Sequence, residues 1–339
     1  MATAPHATSE SSLNDSTPDD VHWELKTTTG MARRGPGRPL QLYSTMTQRL
    51  PEWLTIRLPR PDTIREVEGM MRAKSLHTVC ESARCPNLPE CWSKKTATFM
   101  ILGDTCTRSC GFCAIKVGRG LEVDQNEPEN VAQVASDLGL QHVVVTSVAR
   151  DDLADEGATQ FADTIRSLHA ANRATIVEVL TPDFKAKKWC IKLVTDAHPE
   201  IYNHNIETIE RLHTVVRPQA KYDRSLEVLR LVKELDPTIY TKSGIMLGLG
   251  ETKDEVVRTL KDLRKVGVDA VTIGQYLRPT MRHLPVSDYV HPDTFKEYES
   301  IGDELGFAFV ASAPFVRSSY NAIEFSKKVM AERLSRASG

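Results

Sequence analysis

Six of the chain's seven cysteines fall between residues 80 and 113, in two triplets. One triplet reads Cys106-Thr-Arg-Ser-Cys110-Gly-Phe-Cys113. Three thiolates on so short a loop can hold three irons of a 4Fe–4S cube and leave the fourth iron without a protein ligand. A structural zinc site is the competing reading, but zinc takes four protein ligands, usually as paired knuckles, and a tight triplet supplies one too few. The other triplet, Cys80, Cys85 and Cys91, has spacers of four and five residues, stiffened by Pro86 and Pro89. Three more thiolates suit a second cube. A single zinc site shared by all six cysteines fits two separate triplets poorly.

An open iron can be chelated by the amino and carboxylate groups of S-adenosylmethionine, and an electron from the cluster can then break a carbon–sulfur bond to release a carbon radical. The cofactors would supply that chemistry, while the protein positions them and excludes water. The C-x3-C-x2-C spacing, with Phe112 before the last cysteine, is the hallmark of the radical S-adenosylmethionine superfamily.

The elements that must position these cysteines follow an alternating pattern. Strands are predicted at 96–103, 142–148, 175–181, 201–206, 241–249 and 270–277, each short and rich in aliphatic or β-branched residues. Helices are predicted at 63–76, 128–139, 157–171, 185–196, 222–235, 252–266 and 292–305. The segment from Thr252 to Gly267 is the clearest, with a capping residue, acids early, bases late, and Val256, Leu260 and Leu263 on one face. Strands alternating with helices imply a parallel sheet of βαβ units. Six repeats fit an α/β fold of partial (β/α)6 barrel type, with ligands at the C-terminal strand ends. A seventh strand at 307–314 and a last helix at 321–336 would close or flank it. The division expected is a disordered tail at 1–45, an N-terminal extension at 46–95, the barrel at 96–290 and a C-terminal extension at 291–339.

The pocket candidates lie at strand ends. Gly244, Gly248 and Glu251 bracket a glycine-rich turn from strand into helix, where glycine permits close backbone approach. Glu178 ends an apolar strand and is placed to bind a methionine amino group or a ribose, or to stay solvated. Arg150, Asp151 and Asp152 follow another strand, and Asn203 and Asn205 sit in NHNIE. Arg217 and Arg278 fit either a cofactor contact or a structural ion pair. Cys190, the odd cysteine, reads as a small buried hydrophobe.

Composition sets outer bounds. The chain has 339 residues, 40% hydrophobic and 26% charged, with a formal net charge of −2. That is the balance of a globular protein, with no general electrostatic pull toward nucleic acid or an anionic membrane. No apolar run approaches the roughly 20 residues a membrane span needs. The N-terminus has neither a secretory nor a mitochondrial pattern, so a cytoplasmic location is expected, where thiols stay reduced or bind metal.

From about Pro51 to Tyr320 the chain resembles the lipoyl synthase family. The resemblance rests on CESARCPN followed by C-x3-C-x2-C, and on PEWLTIRLP, VTSVARDDLADEGA, EVLTPDF, NHNIET, VRPQAKYDRSLEVL, KSGIMLGLGET, GQYLRPT and APFVRSSY. It implies a sulfurtransferase that inserts sulfur at C6 and then C8 of a protein-bound octanoyl-lysine. Two 4Fe–4S clusters and S-adenosylmethionine are implied. The cluster on Cys106, Cys110 and Cys113 would cleave the cofactor, and the one on Cys80, Cys85 and Cys91 would be consumed as the sulfur source. A serine of Arg317-Ser318-Ser319-Tyr320 would complete the second cluster, Ser319 being favoured and Ser318 the alternative. Phe112, Glu178, Asn203, Gly244, Gly248 and Glu251 would line the cofactor pocket. The implied partners are octanoylated lipoyl domains of 2-oxo-acid dehydrogenase complexes or the glycine-cleavage carrier protein, a ferredoxin or flavodoxin reductant, and an iron–sulfur carrier protein for cluster repair.

Overall fold

Hydrophobic runs of four to eight residues, each followed by an amphipathic helical segment, fold in sequence order into one sheet. The computed structural model describes residues 50–54, 62–74, 76–82, 85, 87–88, 98–319 and 325. Helix α1 (Asp62–Ala73) precedes a short strand, β1 (His77–Thr78), and a one-turn helix, α2 (Val79–Ser82), that sequence reading did not foresee. Next come β2 (Thr98–Ile101) and a small parallel pair, β3 (Thr105–Cys106) with β4 (Lys116–Val117). The barrel continues with α3 (Glu127–Asp137), β5 (His142–Ser147), α4 (Ala158–Ala171), β6 (Ile176–Leu180), α5 (Lys188–Thr195) and β7 (Ile201–Asn203). It ends with α6 (His213–Val216), α7 (Tyr222–Leu235), β8 (Tyr240–Leu247), α8 (Lys253–Lys265), β9 (Ala270–Gln275), α9 (Pro292–Glu304) and β10 (Phe309–Ser312).

The main sheet runs β1-β2-β5-β6-β7-β8-β9-β10. Its first pair is antiparallel and the other pairs are parallel. Six barrel strands are thus present, and β10 extends the row beyond β9. Of the expected last helix only Phe325 is described, and the tail at 1–45 and Cys91 lie outside the described residues.

Alternate residues of each strand face opposite sides. Phe99, Ile101, Val143, Val145, Val177 and Val179 point outward into a core shared with Phe161, Ile165 and Leu168 of α4. Ile245, Leu247, Val271 and Ile273 meet Val256, Leu260 and Leu263 of α8 in a second core. Fully burying each such side chain contributes about 1.5–3 kcal/mol. Helix α8 is held at its start by a reciprocal capping box between Thr252 and Glu255. On the inner face, Ile176, Ile201 and Ala270 open their strands around Phe325, which is fully buried. The barrel's N-terminal end is therefore plugged, and chemistry is left to the C-terminal end.

Two boundaries differ from the sequence expectation for a physical reason. The strand expected to reach residue 103 stops at Ile101, because Leu102 (φ 68°) and Gly103 (φ 83°) turn the chain left-handed. The helix expected from residue 185 starts at Lys188. Phe184, Lys185 and Ala186 all take positive φ in a tight turn first, and the Asp183 carboxylate accepts the Lys185 N–H at 3.0 Å.

Candidate functional site

The loop after β2 carries Cys106, Cys110 and Cys113, and neighbouring loops clamp it from several sides. Its backbone is tied to α6 by Gly111 N–H donating to Val216 O (2.9 Å) and to the loop after β9 by Leu284 N–H donating to Gly111 O (3.0 Å). His283 Nε2 lies 3.0 Å from Cys113 O. Tyr276 OH donates to Leu284 O at 2.8 Å. A side chain at Gly111 would put its Cβ 2.9 Å from Leu284, so glycine lets this contact close.

Inside the loop, Arg108 is 6% exposed and faces carboxylates from two strand ends. It donates to both oxygens of Asp151 (2.8 and 2.7 Å) and to Asp183 (2.8 Å), and Arg224 reaches the other Asp183 oxygen at 3.1 Å. The hydrogen bond from Arg108 holds the Asp151 carboxyl at about 2. Burial pushes Asp183 up, but its bond and charge contact with Arg108 outweigh burial and leave it well below the carboxylate range.

The thiols fit an iron–sulfur cube. Two backbone N–H groups, of Arg108 (3.4 Å) and Ala149 (3.3 Å), aim at Cys106 Sγ, the contact that stabilises sulfur carrying negative charge. Burial pushes the Cys110 thiol up and Cys113 to about 12. Such thiols need a metal cation to become thiolates, and coordinated iron supplies one. Among the described residues no three His, Cys, Asp or Glu side chains converge on a single-ion position. Thiols that ring a four-iron body need no such convergence.

The second triplet starts in α2, where Thr78 and Glu81 exchange hydrogen bonds (Thr78 Oγ1 to Glu81 Oε2, 2.8 Å; Glu81 N to Thr78 Oγ1, 3.3 Å) and set Cys80 in the first turn. Cys85 N–H donates to Cys80 O at 2.9 Å. Asn87 Nδ2 then donates to Phe315 O at 2.7 Å, across 228 residues of sequence. Burial pushes the Arg317 guanidinium down, with the Cys85 sulfur acting the other way. The structure thereby brings the Cys80–Asn87 loop and the Arg317-Ser318-Ser319 segment together. Ser318 Oγ is bonded to Asn205 (2.6 Å to Nδ2, 2.9 Å to Oδ1), whereas Ser319 Oγ has no hydrogen bond among the described residues. That segment crosses the C-terminal ends of β8 and β9. A Cβ on Gly244 would meet Asn205 Oδ1 at 2.8 Å and Ser318 Oγ at 3.0 Å, and one on Gly274 would come to 2.1 Å from Val316 O.

Several pocket candidates turn out to be committed to the protein itself. Glu178 lies in the middle of β6, not at its end, and is fully buried inside the barrel. It accepts from Lys242 Nζ (2.9 Å) and Asn203 Nδ2 (3.0 Å) and lies 3.3 Å from His142 Nε2. Burial pushes its carboxyl up, but Lys242 and His142 pull it down to about 2. Asn203 keeps an unpartnered Oδ1 among the described residues. The space at Gly244 is filled by Asn205, Thr272 and Ser318, and Gly248 (φ 96°) lies against Gln275 and Asp288. Glu251 accepts the N–H groups of Gly248 (2.5 Å) and Leu249 (2.9 Å), so it shapes the turn. Arg150 forks onto Asp152, and Arg278 bonds the carbonyls of Met281 and His283. Phe112 is half-buried in the loop. Cys190 is fully buried in the outer core.

Sequence reading missed Glu207. Its φ of 67° sits at a bridge to Ile245, it accepts from Asn205 Nδ2 at 3.1 Å, and its charge reaches Cys110 and Cys113. Burial raises its carboxyl against the pull of Arg217. Arg217 donates to Asn205 O at 2.9 Å and keeps Nε unpartnered among the described residues. A carboxyl and a guanidinium two and twelve residues after Asn205 gave no periodic signal, so only folding joins them to the cysteine loop.

Among the described residues no helix is long and apolar enough to cross a membrane. The profile of the Radical SAM superfamily matches residues 100–263. A lipoyl synthase from Rubrobacter xylanophilus is 56% identical over 85% of this chain and 91% of its own length. One from Alkaliphilus metalliredigens is 52% identical over 83% and 97%. Among solved structures, HydG, a maturase of the [FeFe]-hydrogenase, superposes with a TM-score of 0.51 at 14% identity, covering 75% of this chain and 64% of that one. Streptococcus suis SuiB bound to S-adenosylmethionine gives 0.50 at 13%, covering 67% and 54%. At such identities the structural likeness speaks for the fold alone.

Proposed function

The chain belongs to the lipoyl synthase family, and from that premise we propose a division of labour between its two cysteine loops. The enzyme inserts sulfur at C6 and C8 of a protein-bound octanoyl-lysine, using S-adenosylmethionine and two 4Fe–4S clusters, one of them consumed as the sulfur source. When bound, S-adenosylmethionine and its reduced cluster supply a hydrogen-abstracting radical.

Cys106, Cys110 and Cys113 hold the cofactor-binding cluster, and Arg108 keeps their loop fixed through Asp151 and Asp183. Glu207, Arg217 and the free oxygen of Asn203 offer charge and hydrogen bonds to the polar groups of S-adenosylmethionine beside that loop. Cys80, Cys85, Cys91 and Ser319 hold the sulfur-donating cluster. The single observation that carries this reading is the hydrogen bond from Asn87 Nδ2 to Phe315 O, which ties the stretch just after Cys85 to the segment leading into Arg317-Ser318-Ser319. A serine oxygen is a harder ligand than thiolate and suits an iron that must be given up.

The substrate is proposed to be an octanoylated lipoyl domain of a 2-oxo-acid dehydrogenase complex or the glycine-cleavage carrier protein. A ferredoxin or flavodoxin would supply electrons, and an iron–sulfur carrier would rebuild the spent cluster. The test is anaerobic turnover of an octanoyl-lysine peptide, followed by mass spectrometry. Gain of two sulfurs with loss of two carbon-bound hydrogens, together with 5′-deoxyadenosine, is expected. With Ser319→Ala, 5′-deoxyadenosine without sulfur gain is expected. Full sulfur insertion by that variant would overturn the ligand assignment.

A further inference from the structure

We propose that the solvent face of the Cys106–Cys113 loop is the docking surface for an acidic electron-transfer protein. The proposal rests on the reading that this loop holds a cluster reduced from outside.

The outer side of the loop is bordered by three segments. The loop itself continues through β4. Gly111 N–H is bonded to Val216 O of α6, and Gly111 C=O to the Leu284 N–H after β9. In each of the two segments bonded to Gly111 an apolar side chain stands in solvent, Val215 at 61% and Met281 at 81% exposure. Farther along the loop Val117 and Leu121 are exposed at 61% and 78%. The core cluster and fold offer these side chains no burial, and exposed apolar residues grouped around one site mark interaction surfaces.

The three segments themselves carry charge of one sign, with Asp104, Glu122 and Asp152 at their edge. Residues 105–121, 212–222 and 276–287 contain no Asp or Glu, although the chain as a whole carries a net −2. Arg119, Lys221 and Arg282 are exposed there, and Lys221 and Arg282 make no ion pair among the described residues. Arg278 spends its hydrogen bonds on the carbonyls of Met281 and His283, so its charge adds to this face. Exposed apolar side chains on segments whose own charges are all cationic fit a partner whose contact face is acidic, and such complementarity governs encounter rate more than final affinity.

Position selects the occupant. Two of these segments are bonded directly to the backbone that carries the three thiols, so a redox centre seated on them has a short path to the thiols. The acyl substrate instead must enter the barrel mouth, where Asn205 and Ser318 lie. At this step the donor loses one electron and the cluster gains one; no covalent bond forms or breaks.

The test compares two reductants on one enzyme. The double variant Lys221→Glu/Arg282→Glu and the single Met281→Ala are loaded with iron and sulfide, and iron per chain confirms the clusters. 5′-Deoxyadenosine formation is then driven by dithionite or by a reduced acidic flavodoxin. We expect unchanged dithionite-driven rates. The flavodoxin concentration giving half-maximal rate should rise about tenfold in the charge variant, with a weaker salt dependence. Met281→Ala should show a smaller rise in the same direction. Unchanged flavodoxin dependence in both variants would overturn the proposal. So would an unchanged donor dependence combined with weaker use of an octanoylated carrier domain, which would give the face to the substrate. Absence of dithionite-driven turnover in the unsubstituted enzyme would overturn the functional reading and the docking proposal with it.

Discussion

Arg108 lies two residues after Cys106 and forks onto Asp151, with Nε 2.8 Å from Oδ2 and Nη2 2.7 Å from Oδ1. The same guanidinium holds Asp183, which has no exposed surface. The loop of Cys106, Cys110 and Cys113 is thus pinned by charge to the ends of two barrel strands. Removing a partner from a buried pair typically costs about 3–5 kcal/mol. Because Asp151 is partly exposed, Arg108→Gln is expected to cost about 3 kcal/mol in denaturant unfolding and to lower iron retained at the first loop. Arg108→Lys should recover little of it, since an ammonium cannot fork. Equal stability and equal iron in the Gln variant would show that the loop holds itself.

Ser318 and Ser319 are adjacent but differently engaged. Ser318→Ala removes the bond to Asn205 and should cost about 1 kcal/mol with sulfur insertion kept. Ser319→Ala should leave unfolding nearly unchanged and remove sulfur insertion. Product analysis beside thermal melts separates the two, and the reverse pattern would make Ser318 the ligand.

The two glycines under the serine segment should respond unequally. At Gly244 an added methyl meets the movable ends of Asn205, Thr272 and Ser318, whereas at Gly274 it meets the backbone carbonyl of Val316 at 2.1 Å. Overpacking costs about 1–3 kcal/mol where neighbours adjust. Gly274→Ala should therefore lower the melting temperature more than Gly244→Ala and release iron from the second cluster first. Melting curves and iron analysis check both, and a harmless Gly274→Ala would mean the segment is free to lift.

His204 sets an acid limit on stability. Burial, helped by Arg217, pushes its imidazole down to about 4, and its nitrogens lie 2.9 Å from Thr181 O and 3.0 Å from Ser225 Oγ. The unfolded chain takes up this proton near pH 6.5 while the folded chain resists it until about pH 4. Stability is then lost as pH falls through that window, by up to about 3 kcal/mol. Asp151 and Asp183 are held low, so their contribution is lost only as pH falls below about 4. Unfolding at pH 7 and pH 5 should show the loss, and His204→Gln should reduce it, leaving the part that comes from His213, which burial also pushes down to about 4.

How far the sequence carried the fold is seen in α8. Its capping box, charge gradient and apolar face were all local, so its bounds and its buried Val256, Leu260 and Leu263 follow from neighbours in the chain. The Phe184–Ala186 turn had no such signal. Its left-handed residues are held in place by an Asp183 carboxylate that is itself fixed by Arg108, 75 residues away.

Spacing alone determined that six cysteines make two three-thiol loops, since ligand count and loop length are written in the chain. The alternation of strand and helix likewise fixed a parallel barrel with its chemistry at the C-terminal strand ends. Only the tertiary structure decided what Glu178 does, because the Lys242 that claims it comes from a strand 64 residues later. It alone set Asn87 against Phe315, drew Glu207 and Arg217 to the cysteine loop, and gathered the acid-free segments around Gly111. Those relations depend on which strands lie side by side, and no local pattern of residues encodes that.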